Sequence, residues 1–292
     1  MAITEGSTIE ADGLEFGYVE CGEGPLALCL HGFADSPWTW RDLLPALADR
    51  GFRAVAPFLP GYAPSSIPAD GLYQVGAIAT HLNALHGALG GDGDAVLVGH
   101  DWGAIVAYPM AATAPERWRR VVTLAVPPPL TVVNGFFTFD QLKRSWYTFL
   151  FQSPMAEIAV PLDDLAFLDR LWTDWSPGYD AAADIPRAKA CVRDPANLLA
   201  ALGYYRALIG DGPKSPAYTD ADTAAFAVQT QPWLYLHGAD DGCMGAGLID
   251  DAVLSWLAAP GSRFEVIEGC GHFLHLERPD LVIPSIVEFL IG

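Results

Sequence analysis

Three residues able to do nucleophilic and acid–base chemistry stand at comparable places in the sequence. Asp101 is the centre of Gly99-His100-Asp101-Trp102-Gly103, directly after the apolar run AVLV. This is the G-x-S-x-G frame of a strand-to-helix turn, with aspartate where a serine nucleophile is expected. Asp241 follows the apolar run PWLYLHG in PWLYLHGADDGCM, and His272 follows SRFEVIEG in EGCGHFLHLERP. A lone aspartate in a turn is ordinarily a helix cap, and a lone histidine is ordinarily structural. In the order nucleophile, acid, base, each after its own strand, the three read as one constellation.

The aspartate dictates the target atom. A serine needs a base before it can attack a carbonyl, whereas a carboxylate is already ionised at neutral pH. Its attack on an ester would give a high-energy anhydride. It suits displacement at a saturated carbon carrying a strained ring oxygen or a halide, which leaves an alkyl ester on Asp101. His272, oriented by Asp241, would then activate water against that ester.

The elements that must position these groups alternate. GLEFGYVE, LALCLHG, FRAVAPFLPG, AVLVGH and RRVVTLAV read as strands. WRDLLPALADRG reads as a helix closed by Gly51, VGAIATHLNALHGALG as a second, and another begins near Trp102. From about 130 to 220 the chain is aromatic and helical in periodicity, with no clear strand. PWLYLHG, a helix around Leu248 to Leu257, SRFEVIEG and a last helix near Leu281 to Leu290 resume the alternation. The expected architecture is one α/β domain, residues 1–129 and 221–292, with a mostly parallel central sheet flanked by helices. A helical lid, residues 130–220, is inserted into it. Ligands of such sheets bind beyond the carboxyl ends of the strands, where Asp101, Asp241 and His272 fall.

The composition narrows the function. A net charge of −19 excludes nucleic acid as a partner and disfavours anionic membrane surfaces. The stretch VVTLAVPPPLTVVNGFFTF, residues 121 to 139, carries three consecutive prolines, so it reads as a strand and an apolar, pocket-lining connection rather than a membrane span. No signal peptide is visible at the N-terminus. Five irregularly spaced cysteines point to a reducing compartment, with the cytoplasm expected. A disulfide between Cys243 and Cys270 is conceivable, but free thiols are expected. No Cys/His cluster has zinc spacing and no Gly-rich phosphate loop occurs, so neither metal nor cofactor is expected.

With these residues in view, the chain resembles α/β-hydrolase-fold proteins from nearly end to end. HGFADSPWTW resembles the H-G-x oxyanion loop, and GHDWGA resembles the aspartate-nucleophile branch of epoxide hydrolases, haloalkane dehalogenases and fluoroacetate dehalogenases. The resemblance implies Asp101 as nucleophile and Asp241 as acid, by the spacing G-x-x-D from Gly238, ahead of Asp240. It implies His272 as base, by G-x-G-H, ahead of His275. The backbone N–H groups of Phe33 and Trp102 would hold the oxyanion. The substrate pocket is expected to include His31, Trp146 and Phe151. Ala34 stands where epoxide hydrolases usually carry proline, which leaves the shape of that loop open.

The lid speaks to the leaving group. Epoxide opening needs a proton donor on the ring oxygen, whereas a halide needs only N–H donors. In epoxide hydrolases two lid tyrosines hold that oxygen, one four residues before an F-Q pair and one directly before arginine. Tyr147, with Phe151-Gln152, and Tyr205, before Arg206, match these positions, although Gly203 replaces the asparagine of the second motif. The halide-binding marks are absent: Phe33 replaces the asparagine of haloalkane dehalogenases, and Trp102 the arginine of fluoroacetate dehalogenases. The resemblance therefore implies hydrolysis of a small apolar epoxide by water to a vicinal diol, by a monomer or homodimer. A dehalogenase with the same nucleophile, or a non-catalytic ligand receptor on this fold, are the alternatives.

Overall fold

The computed structural model describes residues 2–249 and 252–292. Its strands are β1 (Thr4–Ala11), β2 (Leu14–Cys21), β3 (Leu26–Leu30), β4 (Arg53–Pro57), β5 (Val96–His100), β6 (Arg120–Leu124), β7 (Trp233–Gly238) and β8 (Arg263–Ile267). They form one sheet in the order β1-β2-β4-β3-β5-β6-β7-β8. β1 pairs antiparallel with β2, and β2 with β4; every other pairing is parallel.

Parallel strands covered on both faces need apolar side chains throughout, which explains runs such as LALCL. Along β3 the side chains alternate between two cores. Leu26, Leu28 and Leu30 join the core that contains Ile78, Leu82 and Val106, whereas Ala27 and Cys29 join the one that contains Leu43, Leu47, Val282 and Ile286. The first core lies under α2 (Val75–Ala88) and α3 (Trp102–Thr113), the second under α1 (Leu43–Ala48) and the C-terminal helix.

Between β6 and β7 the described residues hold no strand. Helices α4 (Pro129–Gly135), α5 (Phe139–Arg144), α6 (Trp146–Leu150), α7 (Ala156–Ala159), α8 (Leu162–Trp175), α9 (Ile185–Val192), α10 (Pro195–Ile209) and α11 (Thr219–Ala224) fill the interval. The α8–α10 part is bonded to the loops that leave the strands. Trp172 Nε1 donates to Ala34 O at 2.8 Å, Tyr204 Oη to Pro60 O at 2.8 Å and Asn197 Nδ2 to Gly61 O at 2.7 Å. α11 instead packs against α2 and α3, where Asp222 accepts from Gly76 N at 2.6 Å and Gln74 Nε2 at 2.8 Å. The chain has therefore rejoined the flank of the sheet by α11. α12 (Ala252–Trp256), α13 (Leu274–Glu277) and α14 (Pro279–Ile291) complete it.

Some local expectations change. β1 reads TEGSTIEA, an edge strand mostly in solvent, and carries little apolar signal. The segment expected as one helix up to Gly51 splits into a 3-10 turn at Pro37–Trp40 and the short α1, with Gly51 reversing the chain at φ +83°. The helix expected around Leu248 to Leu257 is a 3-10 turn at Ala246–Leu248 followed by α12; residues 250 and 251 of that stretch lie outside the described residues. No helix among the described residues is long and apolar enough to cross a membrane.

The strand order fixes where a ligand can sit. After β3 the chain adds β4 on one side, then returns to place β5 on the other. The crevice beyond the carboxyl ends of β3 and β5 is the switch point of the sheet. Gly32-Phe33 and Asp101 lie there.

Candidate active site

Asp101 joins β5 to α3 with φ +52° and ψ −117°, a conformation that L-residues rarely adopt. Such a residue stores about 1–3 kcal/mol of strain. The glycines around it serve a different need, because Gly99 and Gly103 have no positive φ. A Cβ on Gly99 would lie 2.3 Å from Gly103 O, and one on Gly103 2.2 Å from Leu30 O. They let the turn pack against itself and against β3, so the strain falls on Asp101 itself. Phe33 N donates to Asp101 Oδ1 at 2.7 Å. A Cβ on Gly32 would fall 2.2 Å from that same oxygen, so only glycine allows the loop this close.

His272 bridges the other two loops to the carboxylate. Its Nδ1 donates to Asp241 Oδ2 at 2.9 Å, and its Nε2 lies 3.5 Å from Asp101 Oδ2. Asp241 Oδ1 accepts from Cys243 N at 2.7 Å and Met244 N at 2.8 Å, which fixes the carboxylate plane. Asp240 is exposed. His275 is buried elsewhere, stacked on Trp40 at 4.7 Å and bonded to Thr39 Oγ1 at 2.6 Å.

Electrostatics make Asp101 and His272 an ion pair at neutral pH. Burial by itself would raise Asp101, but the hydrogen bond and charge of His272 outweigh it and hold the carboxyl below its usual value. Burial opposes the imidazolium too, yet the charge of Asp241 and the hydrogen bonds of both carboxylates raise His272 to about 10.

Tyr147 on α6 and Tyr205 on α10 meet over this pair, their ring centroids 5.8 Å apart. The side chains after each tyrosine hold the backbone of the other's segment. Gln152 Nε2 donates to Tyr205 O at 3.3 Å, and Arg206 Nε donates to Phe151 O at 2.9 Å. This cross-clamp is the physical content of the F-Q and Y-R pairs in the sequence. Tyr147 Oη lies 3.2 Å from Cys243 Sγ, while the Tyr205 ring stands edge-on to Trp102 at 5.0 Å. Burial pushes both phenols well above their ordinary value, so they remain protonated donors.

A cavity of about 170 Å³ opens onto Asp101 and the two tyrosines. Asp101, Trp102, Tyr147, Tyr205 and Cys243 line its inner part. Ile105, Val126, Val132, Val133, Phe136, Leu208 and Phe226 carry it outward, so the 130s segment does line the pocket. Among the described residues, the wall offers no charged side chain besides Asp101.

The alpha/beta hydrolase fold family matches residues 25–279 of the sequence. The chain belongs to this family. It is 31% identical to an epoxide hydrolase of Caballeronia sordidicola over 270 residues, 80% of this chain and 78% of that protein. It is 30% identical to epoxide hydrolase 3 of Xenopus tropicalis over 301 residues, 95% of this chain and 75% of that protein. Among solved structures, epoxide hydrolase A from Mycobacterium thermoresistibile superposes with a TM-score of 0.83 at 26% identity, covering 100% of this chain and 99% of that one.

Three residues expected in the pocket of this α/β hydrolase lie outside its wall. His31 is buried beside the Gly32-Phe33 loop, donating from Nδ1 to Gly32 O at 2.9 Å and accepting Leu59 N at Nε2, 3.1 Å away. Burial lowers it to about 4, so it is a neutral brace for the loop. Trp146 precedes Tyr147 on a helix, and neighbouring helical side chains diverge by about 100°. It is 47% exposed and packs outward on Phe167. Phe151 stands in a second layer, edge-on to Phe33 at 5.4 Å and Tyr205 at 5.0 Å.

Other residues of the α/β hydrolase carry structural weight that no motif marked. The Trp175 carbonyl, at the end of α8, accepts both Gly242 N and His272 N at 3.0 Å, tying the loop of Asp241 to the loop of His272. Gln141 donates to Cys243 O at 2.9 Å and accepts from Gly245 N at 3.0 Å, and Arg144 donates to Asp241 O at 2.8 Å. Helices α5 and α8 therefore brace the loops that carry Asp241 and His272. The five cysteines are free and buried.

Proposed function

We propose that this α/β hydrolase opens an apolar epoxide to a vicinal diol through an alkyl ester on Asp101, with residues 130–220 acting as the lid. The observation that carries the reading is a pair of protonated phenols in the same apolar cavity as an ionised carboxylate. A carboxylate attacks saturated carbon, and an alkoxide leaves only if an acid protonates it.

Asp101 Oδ1 is held by Phe33 N–H, which leaves Oδ2 to attack a ring carbon. The C–O bond of the ring breaks, and its oxygen takes a proton from Tyr147 or Tyr205. The new ester has lost the Asp101 charge, so the His272 imidazolium loses one of the two carboxylates that stabilise it. Its proton is passed on to restore the phenol. Neutral His272 then accepts a proton from water, and the hydroxide adds to the ester carbonyl. Phe33 N–H, with Trp102 N–H proposed as its companion, stabilises the oxyanion on Oδ1. Collapse releases the diol and regenerates the Asp101 carboxylate. Asp241 keeps His272 in the tautomer this sequence requires.

The cavity speaks to substrate size. About 150 Å³ of apolar space holds a benzene ring, so about 170 Å³ suits an aryl or short alkyl epoxide. Aryl epoxides and matching haloalkanes, assayed in parallel, are expected to give diol from the former; halide release without epoxide turnover would overturn the reading. Tyr147→Phe with Tyr205→Phe is expected to slow ring opening by about 10²–10⁴-fold, measured as single-turnover epoxide loss. Either change alone is expected to cost less. Unchanged rates in the double variant would remove the tyrosines from the mechanism.

A further inference from the structure

Cys243 has no task in the reaction just described, yet it lies beside the two groups that carry it. Its Sγ, a carboxylate oxygen of Asp101 and a ring nitrogen of His272 all lie within 4.8 Å of one another, and all three residues are buried. His272 Nε2 faces the Asp101 carboxylate, 3.5 Å from its Oδ2. We propose that Asp101, Cys243 and His272 form a binding site for a soft divalent cation, zinc or cadmium, and that its occupation switches the hydrolase off.

The donor set selects the cation. A thiolate and an imidazole favour zinc and its softer congeners, whereas magnesium and calcium take oxygen ligands. Tetrahedral zinc, with bonds of about 2.0–2.3 Å, needs ligand atoms about 3.3–3.8 Å apart. The three atoms therefore have to close by about 1.5 Å at most, within the reach of side-chain torsions.

The surroundings are already arranged as an outer shell. A histidine that binds a metal typically donates its other ring N–H to a carboxylate, and His272 Nδ1 does so to Asp241 at 2.9 Å. Phe33 N–H holds the Asp101 carboxylate at 2.7 Å, and Tyr147 Oη lies 3.2 Å from the thiol. Each ligand thus has its own supporting group. One carboxylate and one thiolate neutralise a dication, so the filled site carries no net charge into an apolar cavity. Binding releases the thiol proton of Cys243 and the imidazolium proton of His272. Asp101 and Cys243 line the cavity, so water can reach the cation from that side. A cation bound there occupies both the nucleophile and the base.

Binding is independent of the catalytic reading, whereas inactivation rests on it, so the two are measured separately. Cadmium is titrated into the intact protein, following the thiolate-to-cadmium absorption band and the bound stoichiometry. One cation per chain with the band is expected. Cys243→Ser is expected to lose the band and to weaken binding by on the order of 100-fold, and Asp241→Asn to weaken it by about 10–100-fold. Circular dichroism checks that each variant is folded, and Cys270→Ser should bind as the wild type does. No band in the wild type, or equal affinity in folded Cys243→Ser, would overturn the site. Diol formation by the wild type should fall as zinc is added; full activity with the site filled would overturn the switch while leaving the site.

Discussion

Asp101→Asn is expected to lower steady-state diol formation by on the order of 10⁴-fold or more, while the fold and the cavity stay in place. Asparagine is chosen because it is isosteric with aspartate, so the turn at φ +52° keeps a side chain of the same shape. Its amide oxygen can still accept from Phe33 N–H, so the oxyanion loop keeps its anchor. What is lost is the ionised oxygen that attacks carbon. Alanine would be a poorer test, because it also removes the oxygen that accepts from Phe33 N–H. Thermal melting and binding of an apolar, non-reacting analogue should therefore be close to wild type. A variant that kept wild-type turnover would place the nucleophile elsewhere.

His272→Gln is expected to divide the reaction at its midpoint. Ring opening needs Asp101 and the phenols, whereas ester hydrolysis needs a base. Epoxide should disappear once per enzyme, and steady-state turnover should fall by on the order of 10⁴-fold. Intact-protein mass should rise by one substrate, and peptide mapping should place the addition on Asp101. If the protein gains no mass while epoxide is still consumed, water attacks the ring directly. The same logic sets the pH dependence in the wild type. His272 is raised to about 10 while both carboxylates are charged. Esterification removes the Asp101 charge, so its proton affinity falls. The acid limb of ester hydrolysis should therefore lie below 10 and report the ester, not the free enzyme.

Much of this arrangement is legible in the sequence, for identifiable reasons. A parallel strand covered on both faces must be apolar at nearly every position, so β3, β5 and β7 stand out as LALCL, VLVGH and WLYLHG. The turn that presents Asp101 leaves its mark as two glycines, although they serve close packing rather than the unusual φ. Tyr147 and Tyr205 are legible because each has a neighbour, Gln152 or Arg206, with a fixed backbone partner.

The rest leaves no local mark. β1 is an exposed edge and needs no apolar pattern. The Trp175 carbonyl joins the loops of Asp241 and His272, but a backbone acceptor can belong to any residue. Cys243 meets Tyr147 across 96 positions, a pairing that only the tertiary structure creates. Trp146 and Phe151 share the aromatic lid with Tyr147, and periodicity alone does not say which ring faces the cavity.

The central claim is that one oxygen of the diol comes from Asp101. A single turnover with enzyme in excess, run in ¹⁸O-water, tests it directly. The diol should contain no label, and one ¹⁸O should be found in the Asp101 carboxylate after proteolysis. Diol that carries ¹⁸O from its first turnover, with Asp101 unlabelled, would contradict the ester mechanism.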